Sequence, residues 1–218
     1  MRSRLYLVTP RLVDLATFPA EMEAALAGGD IASLLIAPEV ASDMALQRIT
    51  DALTPIAQAH GVAVMVANDT RAAGRAKADG IHVDGGIEVL REVCTHHQPK
   101  LMVGAANLKG RHDAMVAAET GADYVFFGML DRPEEEDAHP KSLDLGEWWA
   151  SMFEIPCVVL AGLSPHSVTE AAETGADFIA VRDAVWAYSG GPRAAVAEFN
   201  RRLDLVEAER AEAEGADA

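Results

Sequence analysis

Short, uninterrupted apolar runs recur along the chain, separated by turn residues and by segments of helical pattern. Eight runs are read: Leu5–Val8, Ala32–Ile36, Val62–Val66, Gly80–Val83, Leu101–Val103, Tyr124–Phe127, Cys157–Leu160 and Phe178–Val181. They do not alternate with polar residues, as expected of strands buried on both faces of a parallel sheet. Helical patterns fill the gaps. Pro19–Ala27 stops at Gly28-Gly29, and a long segment from Ser42 to His60 ends at Gly61 and carries Pro55 as a point of kinking. Thr70–Ala78, Ile87–Thr95, Arg111–Thr120, Leu145–Met152 and Pro165–Thr174 follow, and Pro192 opens the last helix.

One phrase repeats. Ala78-Asp79-Gly80-Ile81-His82-Val83 returns as Gly121-Ala122-Asp123-Tyr124-Val125-Phe126-Phe127-Gly128 and again as Gly175-Ala176-Asp177-Phe178-Ile179-Ala180-Val181. Each copy reads as a helix end, a tight turn and a buried strand, and repetition of one such unit fixes architecture. Strands and helices alternating in this way predict an α/β protein with a single (β/α)8 TIM barrel over residues 1–206. The Ala- and Glu-rich residues 207–218 read as a frayed, acidic C-terminal tail. A doubly wound open sheet competes, but its G-x-G-x-x-G fingerprint is missing.

Charge narrows the partners. The net charge of −16 opposes phosphate backbones and anionic membranes, so neither nucleic acid nor a membrane surface is expected. A small phosphorylated ligand in a local pocket remains compatible. No stretch reaches about 18 apolar residues, and no signal peptide is read. Cys94 and Cys157 do not form a C-x-x-C pair. Together these features predict a cytoplasmic protein, and Cys157, in an apolar run, reads as a buried, inert thiol.

In a barrel, chemistry gathers at the C-terminal ends of the strands. Asn68, Asp69 and Asp84, after the third and fourth runs, form the strongest constellation there. Hard oxygen donors of this kind suit Mg²⁺, with Asp69 and Asp84 as ligands. Asn and Asp are equally the preferred N-cap residues of the helix beginning near Thr70. His82 lies within a strand and reads as a core histidine. Ala161-Gly162-Leu163-Ser164-Pro165 is a Gly-containing turn into a helix, of the kind that binds phosphate through backbone N–H groups. Beside it lie Arg182, which favours an anion, and Asp183, which opposes one. Residues 129–143 form a long acidic loop, either a lid or a solvated excursion. Trp148-Trp149 reads as packing or as a contact in a homo-oligomer.

The chain resembles the thiamine phosphate synthase family, which includes thiazole tautomerases. The resemblance rests on Leu5-Tyr6-Leu7-Val8-Thr9, Val66-Ala67-Asn68-Asp69, Ala78-Asp79-Gly80-Ile81-His82-Val83, Gly121-Ala122-Asp123-Tyr124-Val125 with Gly128, and Ile155-Pro156 with Ala161-Gly162-Leu163. It implies condensation of a hydroxymethylpyrimidine pyrophosphate with a thiazole phosphate, assisted by Mg²⁺ and basic side chains. By position, Asn68 would contact pyrophosphate, Asp69 would ligate Mg²⁺, and Gly162 would offer its N–H to the thiazole phosphate. Gly128, Leu163 and Arg182 join that phosphate site.

Departures from the family pattern are specific. Leu34–Pro38 lacks the Gln, Arg and Lys found at the second strand end, and the second metal-binding Asp aligns with Ile87. Asp84 or Glu88 is then the substitute ligand. Gly104-Ala105-Ala106-Asn107-Leu108 lacks the family's Ser and His, and an acidic segment with Lys141 as its only lysine replaces the Thr-x-Thr-Lys loop. A divergent synthase would draw its cations from Lys109, Arg132 or Lys141. The alternative is a non-catalytic or repurposed barrel that binds another small phosphorylated metabolite.

Overall fold

The computed structural model describes residues 1–40 and 42–216. Its strands are β1 (Arg4–Val8), β2 (Ile31–Ile36), β3 (Ala63–Ala67), β4 (Gly80–Val83), β5 (Met102–Ala105), β6 (Tyr124–Phe127), β7 (Cys157–Leu160) and β8 (Phe178–Val181). All neighbours pair in parallel, and β8 closes onto β1 to complete the barrel. The helices are α1 (Phe18–Leu26), α2 (Asp43–Ala59), α3 (Thr70–Ala76), α4 (Ile87–His97), α5 (Arg111–Thr120), α6 (Pro140–Met152), α7 (Pro165–Glu173), α8 (Asp183–Trp186) and α9 (Pro192–Ala216). This is the expected (β/α)8 barrel with one short extra helix after β8.

Strand side chains alternate between two cores. Leu5, Leu7, Val125 and Phe127 face outward into the layer beneath the helices. Tyr6, Val8, Tyr124 and Phe126 face inward and fill the barrel with Leu35, Met65, Val158 and Leu160. Large inward rings need space elsewhere. A Cβ at Gly104 would lie 1.9 Å from Tyr124 Cζ, so the Tyr124 ring fits only against a glycine. This explains why β5 continues through Gly104 and Ala105, two residues beyond the apolar run Leu101–Val103.

The repeated phrase sits at the opposite end of the barrel from the strand C-termini. Asp79 clasps Val64: its N–H donates to the Val64 carbonyl at 2.8 Å, and its carboxylate accepts from the Val64 N–H at 2.8 Å. Asp123 clasps Val103 in the same way at 2.7 Å for both bonds. The Asp177 carboxylate accepts from Cys157 N–H at 2.9 Å. The carbonyls of Asp79 and Asp177 then receive the N–H groups of Met102 and Arg4, both at 3.0 Å. Asp79 and Asp177 thus each join the start of the preceding strand to the start of the next, while Asp123 holds the start of the preceding one. The repeat is a structural brace on the stability face of the barrel.

Boundaries differ from expectation where local pattern is weak. α6 begins at Pro140 rather than Leu145, because Pro140 suits the first helical turn and His139 Nδ1 accepts from Lys141 N–H. α8 has four residues, too few to show a helical period. Helix α2 runs through Pro55. Residues 207–216, expected as a frayed tail, continue α9, and Arg210 donates to the Ala172 carbonyl at 2.6 Å. Residues 217 and 218 of that tail lie outside the described residues. Trp149 is fully buried and stacks on Phe153, while Trp148 lies under Arg111, 5.0 Å from ring centroid to guanidinium. No helix among the described residues is long and apolar enough to cross a membrane.

Candidate functional site

The ends of β4, β5 and β6 surround two adjoining cavities that share Asp84, Ala106 and Asn107. The larger, about 690 Å³, lies between α4 and α5 and is lined by Asp84, Asn107, Lys109 and His112 over an apolar floor that includes Ile87 and Leu90. The smaller, about 150 Å³, opens at the barrel mouth and includes His82, Phe126, Gly128 and Asp131. Two asparagines in left-handed conformation frame this region, Asn68 with φ 59° and Asn107 with φ 57°. Asn68 Oδ1 accepts from Asp84 N–H at 3.0 Å, and Asn107 Nδ2 donates to the Asp84 carbonyl at 3.2 Å. One atom of each amide thus holds the Asp84 turn, Oδ1 of Asn68 and Nδ2 of Asn107.

Asp69 takes the capping role. Its Oδ1 accepts from the N–H groups of Arg71 and Ala72 at 2.9 and 2.8 Å, closing the first turn of α3. The cap does not use Oδ2. Asp84 keeps its side chain on the cavity walls. No group of three or more His, Cys, Asp or Glu side chains able to hold a metal forms among the described residues. The described residues therefore build no all-protein metal cage. Asp69 leaves its second oxygen outside the cap but lines neither cavity, whereas Asp84 lines both.

His82, expected as a core histidine, lies in the core with one ring nitrogen satisfied and the other not. It is buried in the barrel, and its Nδ1 lies 2.8 Å from Tyr124 Oη, which lies 2.8 Å from Tyr6 Oη. Its Nε2 is equally buried and has no hydrogen-bond partner. Burial pushes the imidazole pKa down to about 4, so the ring is neutral at pH 7. An orphaned nitrogen at the edge of a cavity is an unmet hydrogen bond, which costs about 1–3 kcal/mol until a ligand or water supplies a partner. The A-D-G-I-H string marked His82, but only the fold shows that one nitrogen is satisfied and the other is not.

At the β7 and β8 ends the expected phosphate donors are engaged by the loop after β6. Arg182 is fully buried, donates from Nε to Glu134 Oε1 at 2.6 Å, and reaches the carbonyls of Leu130 and Arg132. Leu163 N–H donates to the Glu135 carbonyl at 2.8 Å. Arg182 and Leu163 are thus not open to an anion in this conformation. Gly128, with φ 158°, and Gly162 line a space of about 120 Å³ beneath the same loop, which shares Gly128 and Met129 with the barrel-mouth cavity. Burial pushes the Glu134 carboxyl above its ordinary range, against the pull of Arg182. Lys109 is exposed at the rim of the large cavity, whereas Lys141 lines none of these three spaces.

Known proteins share this barrel and its sequence. Thiamine-phosphate synthase of Rhodospirillum centenum is 37% identical over 208 residues, 91% of this chain and 96% of that protein. The same enzyme of Hyphomonas neptunium is 35% identical over 211 residues, covering 94% and 96%. Among solved structures, thiamine phosphate pyrophosphorylase of Pyrococcus furiosus superposes with a TM-score of 0.76 at 25% identity, covering 93% of this chain and 96% of that one. The family model described as thiamine monophosphate synthase matches residues 5–185. The chain belongs to the thiamine monophosphate synthase family.

Proposed function

We propose that this protein condenses a hydroxymethylpyrimidine pyrophosphate with a thiazole phosphate to form thiamine phosphate. The observation that carries the reading is the orphaned Nε2 of His82 beside a cavity edged by Asp84 and Asn107. The near full-length similarity to synthases supports it.

An aminopyrimidine offers N–H donors and ring-nitrogen acceptors on one edge. His82 meets either kind, because the direction of the Tyr6–Tyr124–His82 hydrogen bonds sets whether Nε2 donates or accepts. A flat heterocycle at Nε2 would be oriented by one buried, well-fixed contact, and orientation lowers the barrier to attack by a second bound reactant. The thiazole nitrogen then bonds to the pyrimidine's methylene carbon as the carbon–oxygen bond to pyrophosphate breaks, and pyrophosphate carries away the electron pair. Mg²⁺, when bound, neutralises charge on that leaving group, and Asp69 and Asp84 are the residues that would hold it. Lys109 at the cavity rim adds a mobile cation.

A second reading is a barrel that acts on another small phosphorylated metabolite. It is favoured by Leu34–Pro38, which brings no cation to the β2 end. The deciding assay mixes purified protein with both substrates and Mg²⁺ and follows thiamine phosphate, with an active relative in parallel. Turnover abolished by His82→Phe supports the synthase. No turnover, with the relative active, sends the search to other phosphorylated ligands.

A further inference from the structure

The anion-binding donors at the β7 and β8 ends already hold an anion, and it belongs to the chain. Glu134 has only 3% of its side chain exposed. Its two carboxylate oxygens divide between two donors: Oε1 accepts from Arg182 Nε at 2.6 Å, and Oε2 from Asp183 N–H at 3.2 Å. The backbone on either side continues the contact. The carbonyls of Leu130 and Arg132 take the remaining Arg182 nitrogens. Those of Glu135 and Glu136 take the N–H groups of Leu163 and Ser164 at 2.8 and 2.9 Å. Gly162 is pressed so close that an added Cβ would stand 2.5 Å from the Asp137 carbonyl oxygen.

A buried guanidinium and N–H groups from two adjoining strand-end turns are a donor set for a multi-oxygen anion. A carboxylate fills only part of it, and main-chain carbonyls supply the rest. What fixes residues 130–139 here is largely polar: Ala138 is buried and Leu130 packs, partly buried, against the inner core, while Asp131, Glu135, Glu136 and Asp137 are exposed. Contacts of this type can be exchanged for those of a competing dianion without dismantling a hydrophobic core. They also account for an acidic segment lying over a site that would otherwise draw phosphate.

We propose that residues 129–139 form an internal plug in which the Glu134 carboxylate stands in for a phosphomonoester, so that such a ligand binds only by displacing it. Glu134 is thereby an affinity-setting residue. For the identity of the phosphorylated substrate the proposal rests on the synthase reading, whereas the plug itself rests on the bonds above.

The test uses inorganic phosphate as probe, titrated calorimetrically into the intact protein and into Glu134→Gln. The amide of Gln retains an acceptor for Arg182 but removes the competing charge, and it should bind phosphate at least about ten-fold more tightly than the parent. Should Glu134→Gln fail to fold, Gly162→Ala keeps both charges, pushes against the Asp137 carbonyl, and should shift affinity in the same direction. In the parent, saturating phosphate should raise backbone hydrogen exchange across residues 129–139. Equal phosphate affinity in parent and variants, or no phosphate binding together with unchanged exchange, overturns the plug. Failure of the synthase reading looks different. A variant that gains phosphate affinity yet makes no thiamine phosphate leaves the plug standing. A parent that turns over while Glu134→Gln shows no fall in the thiazole phosphate KM removes the plug and leaves the synthase.

Discussion

Replacing Asp123 by Ala removes the acceptor that closes the middle copy of the repeated phrase. The Val103 N–H then loses a 2.7 Å bond to a carboxylate, and Gln98 Nε2 loses one of 2.9 Å. Val103 is fully buried, so its N–H is poorly placed to recruit water, whereas Gln98 is partly exposed and loses little. Hydrogen bonds to charged groups contribute about 1.5–3 kcal/mol, and a buried donor left unpaired costs about as much. The expected loss is therefore about 2 kcal/mol, measured by urea unfolding at pH 7. Asp123→Asn, which keeps an acceptor oxygen, should lose about half of that. Asp79 and Asp177 clasp different residues, Val64 and Cys157. With no shared partners the three losses should add to within about 0.5 kcal/mol. A triple Ala variant would forfeit about 6 kcal/mol, comparable with the whole stability of an ordinary domain. These aspartates lie at the far end from the ligand cavities, so the single variants should retain the parent's KM. A loss below about 0.5 kcal/mol for Asp123→Ala, or a changed KM at unchanged stability, would refute the brace.

Three further outcomes are expected. Asp69→Ala should cost about 1 kcal/mol by opening the α3 cap, while Asp69→Asn keeps the cap oxygen and should abolish Mg²⁺-dependent ligand binding; unchanged binding in the Asn variant would reduce Asp69 to a cap. Gly104→Ala should destabilise by about 3 kcal/mol or prevent folding, because its Cβ would overlap the Tyr124 ring, and shortening Tyr124 to Leu should recover part of the loss in thermal melts. Burial pushes the Cys157 thiol from 9.0 up to about 12, so the native state keeps a proton that the unfolded chain releases. Its stabilising contribution is complete below pH 9 and is lost as pH rises from 9 toward 12, at up to about 1.4 kcal/mol per pH unit. The stability of the parent relative to Cys157→Ala should accordingly fall by about 1.5 kcal/mol between pH 9 and 10.5, and a constant difference would contradict this.

The order of elements was written in the chain. Continuous apolar runs, turn residues at their ends and a thrice-repeated Ala-Asp phrase specify buried parallel strands, helices between them and a tight turn into the strand at each copy, because these are local consequences of periodicity and backbone hydrogen bonding. Strand edges escaped where the local signal was silent. Gly104 falls just outside the apolar run Leu101–Val103, and the Tyr124 ring on the neighbouring strand shows why no other residue fits there.

The site was legible as a set of residues at strand ends but not as an arrangement. Asn68, Asp69 and Asp84 read as one constellation in the sequence, yet what each does depends on which N–H groups it meets in space. Asn68 and Asn107 hold the Asp84 turn, Asp69 caps α3, and Asp84 is left facing the cavity. His82 carried no sequence sign of its orphaned nitrogen, since that state is defined by Tyr124, 42 residues away. Arg182 and Asp183 could not be ranked from sequence, because neighbouring residues can turn either way. The loop 48 residues upstream settles it by bringing Glu134 to Arg182. The sequence by itself determined the barrel and its family, both products of local pattern. Which polar groups are spent on the protein and which remain for a ligand was decided only by tertiary contacts, because a hydrogen bond depends on where its partner lies and not on how far along the chain it is.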